Sequence, residues 1–335
     1  MLGSWVGMPA IISELEDDVD TFARTQRWVE GSDGLVAALE AEHFNFHSYD
    51  AQRMLKESAR RGQTATVRDL LETGVPLQRL TAPKSKEPPS FQDGPEGRLT
   101  SASSHPDVLQ LLIDAGASEN DQKDKDLALK NAAASGEVAA VRSLIAYGAN
   151  PNADLSKLTV VESAGGMTIQ GPGAGSVLID AAESGNPEMV REILRYGPKL
   201  ESRDHEGKTA IFAAGDYRVS DKDGARVECV RLLAEAGADV NARDNDGNTP
   251  LHETFLTDVE EELLKLGANV NARNNDGETP IFTTVDDKAI PLFIAHGADL
   301  TIRNNKGQTV VEAAKQRGPQ REEVLREAIQ KLNAP

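Results

Sequence analysis

Gly237-Ala-Asp-Val-Asn-Ala-Arg-Asp-Asn-Asp-Gly-Asn-Thr-Pro-Leu-His252 is a sixteen-residue stretch that returns twice in this chain, at residues 267–282 and 297–312. The copies begin 30 residues apart and keep the same chemistry at most positions. A fixed period of 20–50 residues indicates a solenoid, in which each unit buries its apolar face against its neighbours. Such a scaffold is far more often a binding surface than a catalyst.

The residue types of the repeat predict where helices begin and end. A glycine follows each leucine-rich helical stretch, where a helix commonly ends in a left-handed residue. A second glycine marks a tight turn, and a threonine followed by proline suits a helix N-cap and first position. The residues that carry this signature are Gly237, Thr249, Pro250, His252, Gly267, Thr279, Pro280 and Gly297.

The repeat resembles the ankyrin repeat, whose signature contains Thr-Pro-Leu-His. Thr249-Pro-Leu-His252 matches that signature fully, and Thr279-Pro-Ile-Phe282 and Thr209-Ala-Ile-Phe212 match it in part. The resemblance implies an all-α ankyrin-repeat solenoid of stacked helix-turn-helix units with β-hairpin or extended fingers. It also implies that the imidazole of His252 is buried and bonds across neighbouring units.

The repeat pattern predicts how the chain is divided. Residues 1–21 are expected to form an N-terminal cap segment, and residues 22–332 a solenoid of about nine helix pairs, with degenerate first and last pairs. Three longer connections, at residues 78–97, 153–175 and 215–228, are expected to be insertions. Long loops on a compact scaffold are commonly functional or disordered.

Composition restricts the class of partner. The chain carries a formal net charge of −18, which disfavours nucleic acid and anionic membranes and favours a basic protein. The single Cys229 excludes a disulfide framework within one chain. No segment approaches 18 consecutive apolar residues, and the first residues lack a basic signal region. We therefore expect a cytoplasmic protein that is monomeric when alone.

No residue pattern predicts a catalytic, cofactor or metal site. The glycine-rich stretch at residues 163–175 lacks the Gly-Lys step of a phosphate loop, and we interpret it as an extension of a finger. His43 and His47 are four residues apart but lack the glutamate of the zinc-hydrolase motif. Carboxylates are too evenly spread to indicate an acid–base pair.

Arginines recur at one finger position, as Arg203, Arg243, Arg273 and Arg303. We expect them to form a ladder that packs against neighbouring fingers and pairs with Asp204 or Asp244. The alternative is that they bind an anionic group of a partner.

Partner contacts are predicted at finger tips, on the face formed by the first helices, and at large side chains of the insertions. Anchors of protein interfaces are typically aromatic or large apolar groups on a rigid frame. The predicted contact residues are Phe91, Met167, Ile169, Asp204, His205, Glu206, Tyr217, Asn245, Asp246, Glu253, Asn275, Asp276, Thr283, Asn305 and Lys306.

These observations favour a non-catalytic protein–protein interaction module. The first hypothesis is an acidic inhibitor or immunity-type protein that binds a basic protein. The second is a general scaffold or adaptor that uses its insertions. The third, an effector or enzyme, requires a catalytic constellation that the sequence does not display.

Overall fold

The computed structural model describes residues 45–47, 49–77, 98–119, 121–153, 176–215, 224–284, 287–317 and 319–332. Within these ranges the chain forms sixteen α-helices, one 3-10 helix and no β-strand. The predicted all-α fold is therefore confirmed, whereas the fingers are built from turns instead of paired strands. No helix in the described ranges is both long enough and apolar enough to cross a bilayer.

Contacts divide the chain into two compact units. The first contains four complete helices and most of two more, which form three pairs in chain order. They are α1 (Tyr49–Arg60), α2 (Thr64–Glu72), α3 (Arg98–Ala102), α4 (Pro106–Asp114), α5 (Gln122–Ala134) and α6 (Val138–Ala146).

The second unit contains five further pairs, which include the repeated stretches. Its helices are α7 (Val177–Glu183), α8 (Pro187–Leu194), α9 (Ala210–Ala214), α10 (Ala225–Glu235), α11 (Pro250–Glu253), α12 (Thr257–Lys265), α13 (Pro280–Thr283), α14 (Ile290–Ala295), α15 (Val310–Arg317) and α16 (Pro319–Leu332). The 3-10 helix Asp287–Ala289 leads directly into α14.

The core is built on one rule in every second helix from α2 to α14. A glycine with positive φ lies two or three residues after the end of each of these helices, and the residues eight, seven and four positions before that glycine are buried. In α10 these are Cys229, Val230 and Leu233, all fully buried before Gly237. The spacing places them on one helix face, which packs against neighbouring pairs.

The first helices of two repeats are very short. Helices α11 and α13 have four residues each, and the backbone leaves the helical conformation at the next residues, Thr254 and Thr284. A helix of one turn is not stable by itself, because nucleation costs more than its few hydrogen bonds return. Neighbouring repeats must therefore hold these two helices in place.

Charged side chains are buried at several positions that the sequence did not signal, among them Glu260 and Arg226. Glu260 is fully buried at a core position where the six other second helices carry valine, leucine or isoleucine. The hydroxyl of Thr284 donates to its Oε1 at 3.3 Å. Polar partners of this kind make a buried carboxyl group tolerable.

Arg226 is another buried charged residue and is only 1% exposed. Its guanidinium donates to the carbonyls of Ala213 and Ala214 at 3.2 and 3.1 Å, and to that of Glu183 at 3.2 Å. These carbonyls lie at the C-terminal ends of α9 and α7, where helices lack internal partners. One side chain thus closes the ends of two first helices.

The predicted insertions lie almost entirely outside the described residues. One boundary is corrected: α10 begins at Ala225, so residues 225–228 belong to a helix and not to the insertion predicted at 215–228. The helical start places Arg226 in the first turn, from which it reaches α7 and α9. The predicted segment 1–21 and the first degenerate pair also lie outside the described residues.

Replacing Arg226 by methionine keeps an apolar stem and removes every donor. We expect Arg226→Met to lower the free energy of unfolding by about 3 kcal/mol, because buried carbonyls lose their partner. Urea denaturation measures the loss. The matched control is Arg191→Met, since Arg191 is half-exposed and pairs with Glu228 at the surface; it should cost less than about 1 kcal/mol. Equal losses in the two variants would contradict the capping role of Arg226.

Candidate partner-binding surface

Four loops at equivalent positions of the second unit, here called the finger loops, span residues 204–208, 244–248, 274–278 and 304–308. In the second loop, Oδ1 of Asp244 accepts the N–H groups of Asp246 and Asn248 at 2.9 and 2.8 Å. The same pair of bonds closes the other loops on Asp204, Asn274 and Asn304. Such side-chain turns give each loop a defined shape.

Successive finger loops are joined by asparagines. The backbone N–H of Asn275 donates to the carbonyl of Asp246 at 2.9 Å, and its side-chain amide donates to the carbonyl of Asn245 at 3.1 Å. Asn245 and Asn305 make the same two bonds to the loops before them. These three residues, predicted as partner contacts, thus use their donors inside the molecule, and their role in binding stays a prediction.

The recurring arginines form the expected ladder but not the expected ion pairs. The guanidinium of Arg243 donates to the carbonyl of Gly247 at 3.1 Å and to that of Arg273, in the next finger, at 2.7 Å. Arg203 and Arg273 make the equivalent contacts. No ion pair to Asp204 or Asp244 is found among the described residues, because those carboxylates accept backbone N–H groups. Arg203, Arg243 and Arg273 therefore stabilise the fingers and the contacts between them.

A second row of contacts runs beside the finger loops. Oδ1 of Asn241 accepts the N–H of Asn269 at 2.7 Å, and its amide donates to the carbonyl of Gly267 at 3.2 Å. Asn271 repeats both contacts with Asp299 and Gly297. Each junction between these fingers is thus held at two separate points.

The glycine at the fourth position of a loop permits the close approach of the next loop. Gly247 has φ 75°, and a Cβ placed on it would lie 2.6 Å from Oδ1 of Asn275. Gly277 meets Asn305 in the same way. In the last loop, no described atom lies within 4 Å of the equivalent position on Gly307. Glycine is therefore required by both conformation and space in the inner loops, and by conformation alone in the last.

The third residue of each finger loop projects its side chain into solvent. These residues are Glu206, Asp246, Asp276 and Lys306, and all four are exposed. The side chains of Asp246, Asp276 and Lys306 make no hydrogen bond or ion pair within the described part of the chain. His205, beside Glu206, is also exposed, with its Nε2 3.7 Å from the Glu206 carboxylate. The tips therefore present a row of three acidic groups and one basic group.

Lys208 links a finger tip to a first helix. Its Nζ lies 2.7 Å from the carboxylate of Glu206 and 2.7 Å from that of Glu253. Burial tends to lower the pKa of Lys208, but the hydrogen bonds that its ammonium group donates to both carboxylates outweigh burial and raise the pKa above its usual value. Lys208 therefore stays charged and offsets part of the negative charge at Glu206 and Glu253.

The two predicted contact residues of the first helices are half-buried and bonded within the fold. Glu253 accepts the side-chain amide of Asn248 at 3.1 Å in addition to its contact with Lys208. The hydroxyl of Thr283 donates to the carbonyl of His252 at 2.8 Å. Both residues lie beside the finger loops but have little free hydrogen-bonding capacity.

The contacts predicted in the insertions cannot be placed on this surface. Phe91, Met167, Ile169 and Tyr217 lie outside the described residues.

His252 connects one repeat to the next. The backbone N–H of Thr249 donates to its Nδ1 at 3.0 Å, so the other nitrogen carries the proton, and Nε2–H donates to the carbonyl of Glu278 at 3.1 Å. Burial of the ring lowers the pKa of His252 to about 4, despite the hydrogen bond to Glu278, which favours the charged form. The imidazole is therefore neutral at pH 7 and acts as a structural link.

Thr249 and Thr279 lie directly before α11 and α13, with Pro250 and Pro280 at the first helical positions. Where Phe212 and Phe282 replace the histidine, the buried hydroxyls of Thr209 and Thr279 have no hydrogen-bond partner among the described residues. The helix-ending Gly237, Gly267 and Gly297 have φ of 101°, 94° and 86°. His252 thus provides a hydrogen-bond partner for the capping threonine, which Phe212 and Phe282 cannot provide.

The asparagine and arginine hydrogen bonds join the finger loops into one row, here called the finger ladder. The helix pairs and this ladder define a helical repeat protein of the solenoid class. Comparison with known families identifies the repeat: the profile described as "Ankyrin repeats (3 copies)" matches residues 178–258, and that described as "Ankyrin repeat" matches residues 246–275. The chain therefore contains ankyrin repeats across residues 178–275, as the sequence signature predicted.

Three similar proteins each match less than a third of this chain. Diacylglycerol kinase iota of Rattus norvegicus is 41% identical over 101 residues, which cover 29% of this chain and 9% of the kinase. The Neurogenic locus Notch protein of Drosophila melanogaster is 31% identical over 81 residues, 24% of this chain and 3% of that protein. An ankyrin repeat-containing protein of Schizosaccharomyces pombe is 34% identical over 84 residues, 25% of this chain and 37% of that protein. The chain thus spans less than a tenth of the first two relatives.

A pair of glycine variants separates backbone strain from the ladder. Gly247→Ala and Gly307→Ala both place alanine at φ 75°, which costs about 1–2 kcal/mol. Only Gly247→Ala also displaces Asn275, so we expect it to lower the free energy of unfolding by about 1 kcal/mol more. Chemical denaturation of both variants measures the difference. If the two losses are the same, the close approach at Gly247 contributes nothing.

The His252 link makes stability depend on pH. The unfolded chain takes up a proton near the ordinary pKa of 6.5, whereas the folded chain resists protonation until about pH 4. Stability from this residue is therefore fully present above pH 6.5 and is lost as the pH falls toward 4, by at most about 3 kcal/mol. His252→Phe, which copies Phe212 and Phe282, removes the titrating group. Between pH 7 and pH 4, the wild-type protein should lose about 3 kcal/mol more than this variant in urea denaturation; parallel pH profiles would count against the link.

Proposed function

We propose that this chain is a non-catalytic protein-binding module whose partner contacts the exposed third residues of the finger loops. The observation that carries the proposal is the finger ladder itself. Because asparagines, arginines and backbone groups already hold the loops together, Glu206, Asp246, Asp276 and Lys306 are presented in a fixed row. A pre-organised surface binds with a smaller loss of conformational entropy than a flexible one.

Charge supports a basic protein as the partner. Lys208 offsets Glu206, so Asp246 and Asp276 are the tip carboxylates without a counter-charge among the described residues. They belong to a chain of net charge −18, whose field would attract a basic protein and accelerate its association. In its finer form, the proposal is an acidic inhibitor that acts in the cytoplasm as a monomer and caps a basic target.

The scaffold hypothesis assigns specificity to the insertions, which lie outside the described residues, so the finger surface does not favour it. Catalysis is also not favoured, since the matched segment of diacylglycerol kinase iota is 9% of that enzyme. In the described residues, no group of three or more His, Cys, Asp or Glu side chains is placed to hold a metal ion.

The proposal is tested by reversing charge at the tips. The wild-type chain is used to capture partners from its native host, and the captured protein is then measured against Asp246→Lys/Asp276→Lys. We expect affinity to fall at least tenfold and the association rate of the wild type to fall steeply as salt rises from about 0.05 to 0.5 M, because exposed charges are screened.

The matched control is Glu235→Lys/Glu327→Lys, which changes net charge equally at exposed positions of α10 and α16. It should bind within about threefold of the wild type. Equal losses in the two double variants would show that the tips are not the contact. An association rate that is independent of salt would remove the basic partner from the proposal.

A further inference from the structure

Among the described residues, the row of finger loops ends at residues 304–308. This last loop has the same backbone carbonyls that, at each earlier junction, accept hydrogen bonds from the next loop. In each of the three junctions, one loop supplies the carbonyls of its second and third residues, and the next loop supplies the two donors of an asparagine. In the last loop the corresponding carbonyls belong to Asn305 and Lys306. Neither accepts a hydrogen bond from any described residue.

The space that the next loop would fill is also open. Gly307 is exposed, and its Cβ position has no described atom within 4 Å, whereas the same position on Gly247 lies 2.6 Å from Asn275. Gly307 keeps the left-handed φ of 75° that the inner glycines have. The last loop therefore has the same shape as the others, but no described residue covers the side of residues 303–307 where the next loop would pack, here called the vacant face.

Arg303 adds a donor to this face. Its equivalents Arg243 and Arg273 donate both to their own loop and to the following finger. Arg303 donates to the carbonyl of Gly307 at 2.6 Å and to the carboxylate of Glu312 at 2.8 Å. Its side chain is 57% exposed, and a guanidinium has five N–H donors, so it can still reach a carbonyl of an arriving chain.

The second row of contacts, which Asn241 and Asn271 make, does not continue at the last finger. This limits the size of any chain segment that could bind the vacant face. Thr301 stands where Asn241 and Asn271 bind the following finger, and its hydroxyl donates to Asp299 in its own finger at 2.6 Å. A whole additional repeat would lack this attachment. A single turn needs only the contacts at the loop itself.

We propose that the vacant face of residues 303–307 is a docking site for an asparagine-bearing tight turn of a partner protein. The backbone N–H of that asparagine would donate to the carbonyl of Lys306, and its side-chain amide to the carbonyl of Asn305. The residue two positions before it would offer its carbonyl to Arg303. This is recognition by extension of a backbone ladder, as in peptides that add to a sheet edge. It uses the end of the ladder and not the tip carboxylates, so it can fail independently of the proposed function.

The experiment uses the full chain and a fluorescent cyclic peptide that contains Arg-Asn-Asn-Asp-Gly-Glu, the sequence of residues 273–278. Fluorescence anisotropy should show saturable binding in the millimolar range or tighter. Replacing the second asparagine of the peptide, the one equivalent to Asn275, by alanine should weaken binding about tenfold, because both its side-chain contact and its fit over Gly307 are lost.

A protein variant tests the location. Gly307→Asn fills the vacant face with a side chain that tolerates positive φ better than most, and it should abolish peptide binding. The control is Gly224→Asn, at a glycine of φ 71° that is equally open but lies before α10; it should bind like the wild type. The inference is overturned if saturation is absent at 5 mM peptide (about the weakest binding that such contacts would give), if the alanine peptide binds equally well, or if Gly307→Asn has no effect.

Discussion

Hydrogen bonds that pass from one finger loop to the next are the interaction on which the second unit depends. A loop rich in polar residues carries backbone N–H and C=O groups that must find partners when another loop packs on them. Here the partners come from the adjacent loop, through Asn245, Asn275 and Asn305 and through the arginine ladder. The backbone carbonyls of each inner loop therefore find these partners only when the next loop is in place.

The short first helices depend on the same coupling. Helices α11 and α13 have one turn each, which is too little for a stable isolated helix. His252 closes the cap of α11 with one nitrogen and binds the finger before α13 with the other. One imidazole ring thus makes both the cap of α11 and the hydrogen bond to the next repeat. Loss of either contact therefore disturbs the other.

The sequence predicted the parts of the fold that repeat. Glycine at a fixed distance after a leucine-rich stretch, and Thr-Pro before a turn of helix, are local signals, so the all-α repeat fold follows from them. Arg226 and Glu260 were not foreseen because their environments are made by distant residues: the carbonyls of α7 and α9 for the first and Thr284 for the second. No local pattern around either residue signals burial. The arginine ladder was predicted as a row, but its acceptors were assigned to carboxylates, since sequence displays side chains and not backbone carbonyls.

The candidate surface was predicted only in part, for a related reason. Sequence reasoning treated neighbouring tip residues alike, whereas the structure divides them by position. The second residue of a loop, as in Asn275, faces the preceding loop and is constrained by it. The side chain of the third residue, as in Asp276, extends into solvent and makes no hydrogen bond or ion pair with a described residue. Substitution at the third position can therefore change the charge of the surface without weakening the ladder. A row of tips that differ in charge on an unchanging frame is what a binding surface requires, because affinity for a partner can then change while the stability of the scaffold does not.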